Sequence, residues 1–488
     1  MDKKLRNLIV GGVVLLTLTA ALVILYLFPD GSNGDSDSLS DPQDLIILID
    51  KSIYDIKQVE IFNQDGNYTV IRDENEHLSV EGYGDLPLDE EILVSIVTSS
   101  SIVAASAIVE EEPEDIGRYG FDQPLSKVTV RFSDGSSAGF SFGIKHPTGV
   151  NSYFMMDGSD EVYLVEAWLY DEIFSKSIHD LIQKTLIPSD WEVETENGYV
   201  VDYISVSGRG MDRPVTFTKS INRTSLESET GAAVLYMTKP VEALLNPIEV
   251  GRLVEIIPGY WADFAAVIRP TAAQTAEFGF DDPLYVVELS VDGKEVTLTF
   301  GNQFKKEMRN EDGSVYNVSF NYVKSSLVDD VVFGIYMEDM IFNINPDRYL
   351  NIHALMIFID DVYEIEYKTS DKTLLMELSG KGEDLTVRIN QKTIETRRFR
   401  DYFGLLISAP SRKIYYDTPR GTPDLTITYK YRNTEWGSEV INFYRTDNME
   451  VITEINGKAR FIGASGYLEQ LIKQTELIEQ NMDVTMGF

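Results

Sequence analysis

From Ile56 onward, apolar residues alternate with polar ones in short runs, and Asp-Gly or Asn-Gly pairs separate many of the runs. Val128-Thr129-Val130-Arg131-Phe132, then Asp134-Gly135, then Phe140-Ser141-Phe142-Gly143 is one instance. A period of two sends every second side chain to one face, as in a half-buried strand, and Asp-Gly readily takes the positive φ of a two-residue hairpin turn. Between such runs the period lengthens. Asp89, a good N-cap, precedes Ile92, Leu93, Ile96 and Val97; Pro247 precedes Val250, Leu253, Val254 and Ile257; Phe399, Phe403, Leu406 and Ile407 repeat the spacing. These patterns predict three helices, each with one apolar face. In the first instance the predicted order is two opening strands at 59–62 and 69–72, a helix, two hairpins and a closing helix at 168–174. Antiparallel sheet with helices on one face is an α+β module.

The module recurs. Tyr119-Gly120-Phe121-Asp122-Gln123-Pro124-Leu125 reappears 159 residues later as Phe278-Gly279-Phe280-Asp281-Asp282-Pro283-Leu284. The strands and turn that follow it have counterparts in Val286 to Ser290, Asp292-Gly293 and Leu298-Thr299-Phe300-Gly301. Asp157-Gly158 is paired with Asp312-Gly313, the strand at 162–165 with 316–323, and the helix at 168–174 with 326–333. A weaker third copy has Pro423 in the place of Pro124 and Pro283, a turn at Asn456-Gly457 and a helix at 466–472, but lacks Gly-Phe-Asp. Opening strands at 56–62, 201–206 and 362–367 start the copies. Self-similarity at a long period is the mark of tandem duplication, and it divides the chain into modules at 46–190, 191–350 and 351–488, the last the most diverged.

Residues 8–28 contain no charged side chain, and at roughly 1.5 Å per helical residue they match the roughly 30 Å apolar core of a bilayer. Lys3, Lys4 and Arg6 precede them, while Asp30, Asp35, Asp37 and Asp41 follow before the first basic residue, Lys51. By the positive-inside tendency, 1–28 form a cytoplasmic tip and signal anchor, with the bulk of the chain extracellular. Residues 29–45, rich in Gly, Ser and Asp, read as a flexible linker. The formal charge of the whole chain is −37, and since residues 1–28 carry +2 the remainder carries −39, a surface that repels nucleic acid. With no cysteine, the fold has neither disulfides nor thiolate metal ligands.

The chemistry-bearing residues form no recognisable constellation. His77, His146, His179 and His353 are far apart, without the paired spacings of a metal-binding helix. Gly463-Ala464-Ser465-Gly466 lacks the spacing of a hydrolase elbow and reads as a helix entry. Gly208-Arg209-Gly210 reads as a turn. Asp281-Asp282, Asp329-Asp330, Asp360-Asp361 and Glu110-Glu111-Glu112 are of the type a glycosidase pairs across a cleft, but adjacent acids are expected among 79. No catalytic, cofactor-binding or metal-binding residue is assigned, and the expectation is a protein that is not an enzyme. The 26 Tyr offer one lead, since aromatics on sheet faces can stack on sugars or anchor partners.

A Gly-Phe-Asp-x-Pro-Leu element, a strand, a hairpin ending in Phe-x-Phe-Gly, a second hairpin into Val162-Tyr163-Leu164-Val165 and a helix, all behind a membrane anchor, resemble the domain of unknown function 4340 family. The similarity is clearest over 56–187, good over 201–350 and faint over 362–478. The resemblance implies a bacterial envelope protein encoded beside ABC transporter components of gliding-motility type, and no catalytic residues. The expectation is therefore an extracytoplasmic, membrane-anchored accessory protein with a protein partner such as an ABC-type permease. A glycan- or peptide-binding surface module is the alternative, and a hydrolase with a carboxylate pair the third reading.

Overall fold

The computed structural model describes residues 45–195, 198–219, 235–309, 314–336 and 342–485. Three large antiparallel sheets follow one another along the chain, of eight, nine and nine strands. In the second, the strands in chain order are Val201–Ser207, Val215–Lys219, Leu235–Lys239, Ala243–Leu244, Phe264–Ile268, Tyr285–Val291, Lys294–Arg309, Val315–Ser325 and Val328–Tyr336. Across the sheet they lie fourth, third, second, first, sixth, seventh, eighth, ninth, fifth. The third sheet, from Val362–Lys368 to Ala459–Ala464, has the same order. So does the first, from Ile56–Asn63 to Val162–Glu166, without the short fourth strand.

The agreement reaches individual residues. The first strand of each sheet pairs with the sixth through the same irregularity, between Ile56 and Gln58, Val201 and Tyr203, and Val362 and Glu364. A one-residue slip would turn every side chain to the other face, so a shared bulge keeps the same positions on the core side. Between the fourth and fifth strand positions each unit inserts a helix: α1 (Glu90–Ser101), α2 (Pro247–Glu255) and α3 (Thr396–Ile407). Asp89 caps α1 by accepting from the Glu91 and Ile92 N–H groups, and Asn246 caps α2 by accepting from Ile248 N–H. Leu93, Ile96 and Val97 are buried from α1, Val250, Leu253 and Val254 from α2, and Phe399, Phe403 and Leu406 from α3.

Two sequence expectations are corrected. Residues 326–333 do not form a closing helix: Val328–Tyr336 is the ninth strand, with Val331, Val332, Phe333 and Ile335 all buried. A strand covered on both faces loses its alternation and reads as an apolar run, which period alone cannot separate from a helix. Asp312-Gly313 lies outside the described residues, between the seventh and eighth strands, whereas Asp157-Gly158 joins the eighth to the ninth; the two pairs are not counterparts. At 169–174 the first unit has a single π-helical turn, Leu169–Phe174, and the third closes with α4 (Gly466–Glu479). The expected anchor at 8–28 and linker at 29–44 lie outside the described residues, and no helix among those described is long and apolar enough to cross a membrane.

The units are joined by straps of the same construction. After the first sheet, Leu181 and Gln183 bond back to the end of their own unit: Asp89 N–H donates to the Leu181 carbonyl (2.8 Å) and Gln183 N–H to the Pro87 carbonyl (2.7 Å). The next residues bond forward, with Ala262 N–H on the Lys184 carbonyl (2.8 Å) and Leu186 N–H on the Tyr260 carbonyl (2.7 Å). The second joint repeats all four bonds: Asn246 to Tyr349 (2.8 Å), Asn351 to Leu244 (3.0 Å), Ser411 to Ile352 (3.0 Å) and Ala354 to Ala409 (2.7 Å). The apolar side chains of the first strap are divided, and Leu181 is buried in the core of the first sheet. Ile182, Leu186 and Ile187 join one apolar core that runs unbroken through the second and third sheets, while the first sheet encloses a separate core around Val59, Leu93, Val130 and Phe142.

The two cores predict two cooperative unfolding transitions by calorimetry. Leu186→Ala, although it lies in the strap that ends the first unit, should lower the transition of the second and third sheets by about 2–5 kcal/mol, the cost of emptying a buried leucine site. A loss confined to the transition of the first sheet would contradict this assignment.

Candidate functional site

The residues singled out in the sequence are dispersed. His77 lies 3.6 Å from Asp73 on an exposed turn, His146 stands edge-on to Tyr153, and His179 Nδ1 meets the Ala265 carbonyl at 3.1 Å. His353 sits in the second strap, bridged to Pro410. The acidic pairs serve the main chain: Asp360 accepts from Gly382 N–H, the Asp361 carbonyl from Arg432 N–H, the Asp330 carbonyl from Arg269 N–H and the Asp282 carbonyl from Arg209. Glu110 holds Arg118 and Tyr119. Gly208 starts the turn between two strands, and Ser465 precedes α4. Among the described residues no group of three or more His, Asp or Glu could hold a metal ion.

What the chain does bring together are the two halves of its repeated motif. Gly120 (φ +88) and Gly279 (φ +81) reverse the chain ahead of the sixth strand, a conformation that side chains with a Cβ rarely adopt. The reversal lays the Tyr119 or Phe278 carbonyl against Gly143 or Gly301, where an added Cβ would overlap that oxygen, and puts the Phe121 or Phe280 ring beside the same glycine. The seventh and eighth strands bulge at that point, between Phe142 and Lys145 and between Phe300 and Gln303. Above it Tyr119 packs on Tyr153 (centroids 4.7 Å) and Phe278 on Tyr322 (4.2 Å). Gly-Phe-Asp and Phe-x-Phe-Gly are thus one packing device split over two segments.

The third sheet shows the device removed as a unit. Tyr444 stands where the other sheets have Gly143 and Gly301, Ile452 replaces the stacking tyrosine, and no bulge interrupts the pairing of those strands. Tyr444 donates to Glu454, which Arg460 binds at 2.5 Å. Burial alone would raise the Glu454 carboxyl, but hydrogen bonds from Arg460, Asn442 and Tyr444 hold it below the usual range. In the core beneath, burial pushes Tyr367 up to about 12 and raises Tyr402, Tyr429 and Tyr467 well above the ordinary phenol range, so these phenols are neutral structural groups.

Two clefts open at the joints. Between the second and third sheets, about 440 Å³ is lined by Tyr236, Tyr431 and Trp436 with Glu242, Glu435 and Glu439. Tyr431 stands edge-on to Trp436 (5.8 Å, 83°) and donates to Glu439 at 2.6 Å. Between the first and second sheets, about 650 Å³ separates the amino end of α1 from Lys184 and Trp261, an indole that is 69% exposed. Aromatic faces beside carboxylates can stack on a sugar or hold a cationic side chain.

Fold and site together define a scaffold of serially joined antiparallel sheets that offers surfaces and clefts. Residues 79–202, from the third strand of the first sheet through α1, the motif pair and the strap into the second sheet, match the family described as Domain of unknown function (DUF4340), as the motif residues implied. No curated protein and no solved structure matches the chain.

Gly143→Ala and Gly301→Ala should each cost about 1–3 kcal/mol in chemical denaturation, because the Cβ must displace main chain. Tyr444→Ala, at the equivalent position, carries no such overlap and loses packing only. Unchanged midpoints for both glycine variants would show that the close approach is not a constraint.

Proposed function

We propose that this chain is a non-enzymatic, membrane-anchored accessory protein that holds a rigid series of duplicated sheet modules outside the cell membrane to bind a protein partner. The observation that carries the reading is the uncharged run 8–28 with Lys3, Lys4 and Arg6 before it and an acid-rich segment after it. The equal strand orders and equal straps support descent of the three units from one ancestor. A transport-type permease as the partner rests on the family resemblance alone.

The chain contains no cysteine, so single-cysteine labelling has no background. In intact cells a membrane-impermeant maleimide should label Ser32→Cys and the exposed Met449→Cys, and alkaline carbonate should leave the protein in the membrane pellet. Labelling only after lysis, or release by carbonate, would overturn the anchored reading.

A second reading, recognition of a glycan or basic peptide, is favoured by the cleft at Tyr431 and Trp436 with its three glutamates. A thermal-shift panel of soluble oligosaccharides and lysine-rich peptides should yield a stabilising ligand whose effect disappears in Trp436→Ala. A panel without response in the native chain removes this reading.

A further inference from the structure

Before the first sheet, the strand Ile46–Asp50 pairs antiparallel with Ile102–Ala105 in a two-stranded sheet of its own. Its register repeats the forward half of both straps. Ile47 lies opposite Ala104 as Thr185 lies opposite Trp261 and His353 opposite Pro410, each partner following the carboxyl end of its unit's helix. The leading strand is therefore a third strap with its forward bonds made. At the two joints the other edge of the strap bonds to a preceding sheet; at the leading strand that edge has no partner strand among the described residues.

The side chains on this face differ in kind from those at the joints. Leu45, Ile47 and Ile102 are 61%, 55% and 57% exposed. The corresponding positions carry Gln183, Thr185 and Gly259 at the first joint and Asn351, His353 and Ser408 at the second. Apolar side chains thus replace polar or small ones at the strap whose other edge meets no strand among the described residues.

The opposite end of the series is closed. At both joints the N–H of the helix N-cap residue, Asp89 or Asn246, donates to a strap carbonyl. In the third unit the corresponding Glu395 N–H donates instead to the Asn481 side chain at 2.9 Å, and Asp483 bridges Arg397 and Arg398 beside it. The segment that would have to dock head-to-tail on the leading strand of a second copy is already bonded. The acids that precede and end the leading strand in sequence, Asp41, Asp44 and Asp50, disfavour an anionic lipid surface.

We infer that the edge and apolar face of Leu45, Ile47 and Ile102 dock an extended apolar segment of another protein resident in the same membrane. The occupant's chemistry is read from the two joints, where the strap edge receives Pro87-Leu88-Asp89 and Leu244-Leu245-Asn246, a short extended stretch with a leucine leading into a helix cap. Addition of such a segment to an open strand edge is a recurrent mode of recognition. The inference rests on the anchored reading above. In that reading 15 residues, 30–44, separate the anchor from this strand, and 15 residues of Gly/Ser-rich chain span roughly 20 Å, which would keep this face near the bilayer.

The test places benzoylphenylalanine at Ile47 in the full chain in its native membrane, with Met449, 81% exposed, as the control position. The expected result is an adduct from Ile47, and not from Met449, whose partner peptide maps to an extended apolar, extracytoplasmic segment of an integral membrane protein. A Leu45→Asp, Ile102→Asp pair should reduce that adduct at least tenfold while the melting temperature of the purified chain stays unchanged. Adducts with a second copy, with lipid, or at the level of the Met449 control each overturn the inference. Maleimide labelling in the same cells reports the anchored reading independently, so a docking failure is distinguishable from a topology failure.

Discussion

The structure turns on how the amino end of each internal helix is satisfied. An N–H at a helix cap that is shielded from water needs an acceptor, since an unpaired buried main-chain group costs as much as a lost hydrogen bond, and the cap residues Asp89 and Asn246 are half-buried. At Asp89 and Asn246 the acceptor is the carbonyl of a residue that follows the whole sheet, Leu181 or Tyr349. The chain must therefore return to the helix cap before it can go on. Having returned, it is held in an extended conformation with its other edge free to bond to the next unit.

This constraint explains why the sheets are not beads on flexible linkers. A strap fixed on both edges leaves little freedom between neighbours, and its apolar side chains reach into both: at the first joint Leu181 is buried in the first core, Ile182 and Leu186 in the next. The second and third sheets accordingly share one core, and Arg269 with Asp85 and Arg213 over Tyr416 add exposed polar contacts between units, each of small energy. In the third unit Asn481 supplies a side-chain acceptor where a strap would lie, so the same donor is satisfied without continuing the series.

The paired glycine motif has a local explanation that needs no ligand. Gly120 with Gly143, and Gly279 with Gly301, allow a chain reversal to lie on a bulged strand; where the reversal is lost, in the third sheet, a tyrosine occupies the vacated space. Residues that recur because packing requires them are poor markers of chemistry. What distinguishes one unit from another is at the surface instead: the tyrosine and tryptophan of the cleft at the second joint, the exposed indole at the first, and the exposed leucine and isoleucines at the leading strand.

The sequence alone determined the strand starts near Ile56, Val201 and Val362, the Asp89 cap, the helical faces and the turn at Gly208, because each depends on residues within a few positions of one another. It also exposed the link between Gly-Phe-Asp and Phe-x-Phe-Gly as a repeated coincidence, without its cause. The ninth strand of the second sheet was misread as a helix, since burial on both faces erases the alternation that identifies a strand. The straps carry no periodic signal at all: Leu181 to Leu186 and Tyr349 to Ala354 share bonds but hardly any residues, because main-chain hydrogen bonds do not depend on the side chain. Which carbonyl meets which cap follows from contacts between residues far apart in the chain, and so does the continuity of the series, with Asn481 at the third cap and, among the described residues, no partner strand at the edge beginning at Leu45.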